Sequence, residues 1–102
     1  MHLVQLLLPL HDNEGRDFPP AHFSQIRAEL TERFGGVTAF IRAPAIGLWK
    51  ETAEEVNGDE VVMFEVLADE LDRSWWSGYR EQLQKKFRQD EILIWASDIT
   101  RL

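Results

Sequence analysis

Residues 60–68 read EVVMFEVLA, and this stretch decides the fold. After Glu60 it is apolar on both faces except at Glu65, a pattern typical of a strand in the middle of a sheet. Residues 3–10, LVQLLLPL, have the same character, and Gln5 is their polar exception. The sequence therefore predicts two central strands, each with one polar side chain on an otherwise apolar surface.

A first helical pattern separates these two strands. It lies between Pro19-Pro20 and Gly35-Gly36, pairs that suit the start and the end of a helix. Its apolar residues recur at helical spacing: Phe23, Ile26, Leu30 and Phe34. This spacing predicts a helix that runs to about Phe34 and buries one stripe.

A second helical pattern follows residues 60–68, with Asp69 or Asp72 as its expected N-cap. Its apolar residues step by four: Leu71, Trp75, Tyr79, Leu83 and Phe87. This stripe predicts that Trp75 lies in the core and that its neighbour Trp76 is partly exposed.

The stretch FIRAPAIGLWK, residues 40–50, interrupts a strand-like run that begins at residue 37. Because proline within a strand is confined to edges, bulges and bends, we predict one bent edge strand over residues 37–56. The bend at Pro44 is expected to bring Trp49 to the rim of the sheet or to a partner subunit. Asn57-Gly58 is a strong hairpin-turn signal.

Residues 91–99, EILIWASDI, predict the last strand. The order strand-helix-strand-strand-helix-strand, with two central and two edge strands, indicates an α+β, ferredoxin-like fold. We predict a single domain over residues 1–102. Its four-stranded antiparallel sheet has the order 4-1-3-2, and both helices cover one face.

The phase of each strand predicts which residues face away from the helices. The apolar members of this outward set are Leu3, Leu7, Phe40, Met63, Leu67, Leu93 and Trp95. The opposite phase, which includes Ala39 and Ala96, is expected to face the helices. A contiguous apolar patch of this size is uncommon on a monomer, so we expect a homodimer packed sheet to sheet.

Three polar residues, Gln5, Arg42 and Glu65, lie within this outward set. A buried charge needs a partner, and we expect Arg42 to pair with Glu65 on the adjacent strand. The simpler interpretation is a structural ion pair in a dimer interface. The functional alternative is a pocket in which Arg42 holds an anion or carboxylate and Glu65 acts as a base or an acceptor, with Trp49 and Trp95 as further ligand-binding candidates.

His11 is the remaining candidate, because it follows the first strand where a pocket residue is well placed to act as a general acid. The alternative is a plain solvated loop over residues 11–17. The three histidines show no metal-ligand spacing with one another or with a nearby carboxylate. We predict no metal and no cofactor.

The net charge of −7 narrows the range of partners. The one basic cluster, QKKFR at residues 84–88, lies at a predicted helix C-terminus, where cations are favourable. Nucleic acid and anionic membranes are therefore not expected as partners. The absence of cysteine fits a reducing cytoplasm. The apolar N-terminus lacks the basic region and cleavage site of a signal peptide.

Three short motifs resemble those of a family of small bacterial domains of unknown function. They are Gly36-Val37-Thr38, Gly47-Leu48-Trp49 and Phe87-Arg88-Gln89-Asp90. The resemblance spans roughly residues 24–95 and implies no catalytic residues, because the family has no established activity. The layout is also similar to the dimeric α+β-barrel proteins, in which two such sheets face each other around a pocket.

Two classes of function follow from these patterns. The first is a homodimeric ligand-binding or assembly module with a pocket at the open sheet face. The alternative is a small cofactor-free enzyme, of the isomerase or monooxygenase type, that uses Arg42, Glu65 or His11. No residue pair at a firm acid–base spacing favours the enzyme, so whether the chain is catalytic stays open.

Overall fold

The computed structural model describes residues 1–42 and 61–102, with the backbone alone for residues 40–42. The elements are β1 (His2–Pro9), α1 (Pro20–Phe34), β2 (Thr38–Arg42), β3 (Val61–Ala68), α2 (Arg73–Lys86) and β4 (Leu93–Asp98). The predicted continuation of β2 to residue 56, the bend at Pro44, Trp49 and the turn at Asn57-Gly58 all lie outside the described residues.

The four strands form one antiparallel sheet in the order β2-β3-β1-β4. This is the predicted order 4-1-3-2 read from the other edge. The α+β, ferredoxin-like fold class is therefore confirmed. β1 and β3 are central because their apolar residues on both faces remove the most surface from water when strands lie on either side.

Local signals fix the ends of both helices. Gly35 adopts a left-handed conformation with φ 82°, and its N–H donates to Thr31 O at 2.8 Å, which ends α1. Asp72, rather than Asp69, caps α2, since its Oδ1 accepts a hydrogen bond from the Trp75 N–H at 3.0 Å. Such a cap satisfies one of the otherwise unpaired donors of the first turn.

The core lies between the helices and one face of the sheet. Alternate residues of β1 and β3 are buried there: Val4, Leu6, Leu8, Val62, Phe64 and Val66. Ile26 and Leu30 of α1 pack onto this layer, as do Tyr79 and Leu83 of α2. The predicted phase of the two central strands is therefore confirmed.

The predicted roles of the two adjacent tryptophans are wrong. Trp76 is the core residue and is only 7% exposed, whereas Trp75 is half-buried. A step of four residues advances about 400° around a helix, so a strict four-residue series drifts about 40° per step away from the sheet. Mixed steps of three and four, from Trp76 to Tyr79 and Leu83, keep the stripe facing the core.

Trp75 packs at the side of α2 instead. Its ring stacks on Tyr79 with the centroids 4.8 Å apart, and the Arg33 guanidinium carbon lies 4.2 Å from its centroid. The Tyr79 hydroxyl donates to Glu29 Oε1 at 2.9 Å. Burial of the ring and this bond together raise the pKa of Tyr79, so we interpret Tyr79 as a neutral structural residue.

Two smaller expectations about burial are also corrected. Ala39 and Ala96 are exposed. Ala39 lies in a groove of about 480 Å³ between α1 and β2. Ala96 lies beside a second groove next to α2. Two helices are thus too narrow to cover the edge strands completely. Met63 keeps its predicted outward phase, opposite Leu7, and is only 5% exposed.

We expect Trp76→Ala to lower the free energy of unfolding by about 3–5 kcal/mol, because it empties a core position. Trp75→Ala should cost roughly half as much, since the Trp75 side chain is only half-buried. Urea denaturation followed by circular dichroism measures both. Equal losses for the two variants would contradict the assignment of Trp76 to the core.

Candidate ligand-binding and assembly site on the open sheet face

Strand register sets four residues side by side across the face that the helices leave open. Thr38 of β2 lies opposite Glu65 of β3, Glu65 opposite Gln5 of β1, and Gln5 opposite Trp95 of β4. We call these four residues the polar row. Three of the predicted ligand-binding candidates, Gln5, Glu65 and Trp95, are therefore neighbours.

A hydrogen bond joins the two central members of the polar row. Gln5 Nε2 donates to Glu65 Oε2 at 2.7 Å and lies 3.4 Å from Met63 Sδ. A short bond from an amide to a carboxylate is stronger than one between two neutral groups. Because both residues are half-buried, this bond offsets part of the cost of keeping a carboxylate in apolar surroundings.

Two hydrogen-bond acceptors of the pair have no donor among the described residues. Gln5 Oε1 and Glu65 Oε1 accept no hydrogen bond from any described residue. Carboxylate and amide oxygens are strong acceptors. The polar row therefore suits a group that brings donors, such as a hydroxyl or an amine.

Apolar side chains surround the polar row. A second row of register partners lies directly beside it: Met63, Leu7 and Leu93. On the other side, Leu3 lies opposite Leu67. Leu67 is 45% exposed and Leu93 is 52% exposed. The single chain thus leaves large apolar groups in water on both sides of the Gln5–Glu65 pair.

Arg42 is not the strand neighbour of Glu65 that the sequence predicted. The register puts Arg42 opposite Val61, four residues along β2 from Thr38. At about 3.3 Å per residue this is a displacement of roughly 13 Å. The side chain of Arg42 and the whole of Trp49 lie outside the described residues, so their roles as ligand-binding candidates stay predictions.

His11 lies beyond the end of β1 and is not part of the polar row. It forms an isolated bridge with Asp17, and its Nε2 lies 2.9 Å from Asp17 Oδ1. The Phe18 N–H donates to Leu10 O at 2.9 Å in the same turn. His11 therefore closes the loop between β1 and α1, and this geometry favours the structural interpretation over a general acid.

Sequence reasoning missed Thr38 as a neighbour of Glu65. The alternation of residues along a strand shows which face each residue lies on, but not which residue of the next strand lies opposite it.

Across residues 1–42 and 61–102, no group of three His, Cys, Asp or Glu residues could hold a metal ion. In the same ranges no helix has the length and apolarity needed to cross a membrane.

Comparisons with known proteins add no relative. No protein-family model, curated protein or solved structure matches the chain. The resemblance to small bacterial domains therefore stays a prediction.

A double-mutant cycle tests the central hydrogen bond. We expect Gln5→Ala and Glu65→Ala to be coupled by about 1 kcal/mol, the net value of a hydrogen bond that is only half-buried. Urea denaturation of the two single variants and the double variant, at one fixed protein concentration, measures the coupling. Additivity within about 0.3 kcal/mol would show that the bond does not contribute to stability.

Proposed function

We propose that this chain is a homodimeric ligand-binding module whose two copies pack their open sheet faces together. The observation that carries the proposal is the half-buried Gln5–Glu65 pair set among exposed leucines. Covering the leucines removes apolar surface from water. The polar pair then becomes the chemical feature of the space between the two sheets.

The size of the face supports a dimer of moderate affinity. The two central strands are eight residues long, whereas β2 has five residues and β4 has six. At about 3.3 Å per residue and about 4.8 Å between strands, the face measures roughly 430 Å². Two such faces bury on the order of 900 Å² in total, which is in the range of weak interfaces. We therefore propose a dimer that dissociates at low micromolar concentration.

The dimer would bring two polar rows together. Since β1 and β3 are the central strands, a two-fold axis through the middle of the face places both Gln5–Glu65 pairs near that axis. Packed sheets lie about 10 Å apart. The enclosed space would present two carboxylates and two amide oxygens within apolar walls, and a bound ammonium group would offset the repulsion between the two carboxylates. Its chemistry fits a small amine or alcohol with an apolar body.

Binding is favoured over catalysis by the ionisable groups present. Glu65 is the one ionisable side chain on this face among the strand residues whose side chains the structure describes. Asp69 and Arg101, which lie outside the strands, line a cavity together with Glu65. A reaction that uses a general base together with a general acid needs a second ionisable group, and these strand residues do not supply one. A location in the bacterial cytoplasm is part of the proposal, supported by the absence of cysteine.

The proposal predicts that Leu93→Lys shifts the chain from dimer to monomer, because it places two like charges within a desolvated interface. Sedimentation equilibrium at about 50 μM measures the change, and we expect at least a tenfold weaker association. Ala28→Lys is the matched control, since Ala28 is exposed on the outer side of α1. It should leave the dimer unchanged.

A monomeric wild-type protein at this concentration would refute the dimer. The pocket is tested in the same samples with hexylamine as the probe. We expect hexylamine to raise the melting temperature of the wild-type protein and hexanoate to leave it unchanged. An equal effect of hexylamine on Glu65→Gln would show that the carboxylate does not bind the amine.

A further inference from the structure

The outer edge of β4 has backbone groups available for pairing. β4 pairs with β1 on one side, and none of the other described strands pairs with its opposite side. The Ile99 N–H donates to Met1 O at 3.0 Å. In an antiparallel ladder, hydrogen-bonded pairs alternate along the strand. The odd-numbered residues of β4 therefore bond to β1. Ile94, Ala96 and Asp98 direct their N–H and C=O groups away from β1, toward the free edge of the sheet.

A groove of about 280 Å³ runs beside this edge. Val4, Trp76, Ile94 and Ala96 contribute apolar surface to it. Ala96 is exposed here although its phase faces the helix layer, because α2 does not extend over the strand. The space next to β4, on the helix side of the sheet, thus has room for the side chains of an added strand.

The wall that α2 contributes to the groove is basic. Arg73, Ser77 and Arg80 line it and are exposed. Seven residues are about two helical turns, so the two arginines lie on one side of α2, roughly 10.5 Å apart along its axis. Among the described residues neither arginine forms a salt bridge. The two cations make this wall locally positive on a chain whose net charge is −7.

β4 itself carries one carboxylate, at its C-terminal end. Asp98 is bound by His2, whose Nδ1 lies 2.9 Å from Asp98 Oδ1. The stretch from Ile94 to Ala96, next to the two arginines, carries no acidic side chain. An acidic partner would therefore meet positive charge along most of the groove.

We propose that the outer edge of β4 binds an extended acidic peptide as a fifth strand. Main-chain hydrogen bonds to Ile94 and Ala96 provide affinity, and alternate side chains of the peptide face α2, as in strand addition. Residues at i and i+4 of a strand are about 13 Å apart, a distance that the flexible side chains of Arg73 and Arg80 span. The preferred sequence has acidic residues at i and i+4 and a small apolar residue between them.

This site is largely separate from the proposed dimer interface, and Trp95 is the one member of the polar row that also lines the groove. The groove lies on the helix side of the sheet, whereas the polar row lies on the other face. Peptide binding and dimerisation are therefore measured separately, and the failure of one does not imply the failure of the other.

The test uses the whole chain and a fluorescein-labelled peptide, Thr-Glu-Thr-Val-Thr-Glu-Thr, with the same peptide carrying Lys in place of Glu as the matched control. Fluorescence anisotropy should show saturable binding of the Glu peptide and no binding of the Lys peptide. The double variant Arg73→Gln/Arg80→Gln should weaken binding at least tenfold.

Two further variants separate backbone pairing from charge. Ala96→Pro removes an outward-facing N–H and should abolish binding while circular dichroism shows a folded sheet, because proline is tolerated at a free edge. If Ala96→Pro fails to fold, Ser77→Glu provides the second variant and should weaken binding at least tenfold through like-charge repulsion.

Four results would overturn the proposal. The first three are no binding of the Glu peptide up to about 1 mM, equal binding of the Glu and Lys peptides, and unchanged binding of the Glu peptide by the double arginine variant. The fourth is that Ala96→Pro changes the sedimentation of the chain whereas an excess of the Glu peptide does not. That result would assign the edge to a second copy of this chain.

Discussion

Two helices can cover only one face of a four-stranded sheet, and the other features of this molecule depend on that constraint. The inward residues of β1 and β3 are buried by α1 and α2. Their outward neighbours are equally apolar, yet no described helix packs on them. Leu67 and Leu93 therefore keep about half of their surface in water. Burial of apolar surface is the main favourable term in folding and association, so a partner for this face is the expected consequence.

Gln5 is the polar exception in β1 and Glu65 is the polar exception in β3. The two residues lie directly opposite each other. A polar residue on an apolar face usually lowers stability unless it is hydrogen-bonded. Here each residue supplies the partner for the other, which limits the cost. The remaining acceptors of the pair then give the open face a defined chemistry, and Trp95 lies beside them on β4. We interpret this combination as a binding surface.

The parts of the fold that depend on local patterns were predictable from the sequence. Alternation identified the inward residues of β1 and β3, and glycine after Phe34 identified the end of α1. The predictions that failed depend on geometry over longer distances. A four-residue stripe assigned the wrong tryptophan to the core, because drift around the helix accumulates.

Arg42 was misplaced next to Glu65 because strand register is set by the connection between β2 and β3. The alternation of residues along β2 does not determine that register. The grooves at both sheet edges were also missed, since the width that a helix covers depends on how its large side chains pack. Arg73 and Arg80 consequently gave no signal as a pair in the sequence.

The central claim, that two open faces pack together with the helices outside, is tested most directly by a distance between identical positions. The chain has no cysteine, so Glu81→Cys on the exposed side of α2 accepts a single spin label. Double electron–electron resonance should give a distance of roughly 40 Å, because two sheets about 10 Å apart separate two outer helix layers, each helix being about 10 Å across. A distance below about 25 Å would place the helices at the interface, and the absence of a dipolar signal at high concentration would show that the chain is a monomer. Either result would contradict the account.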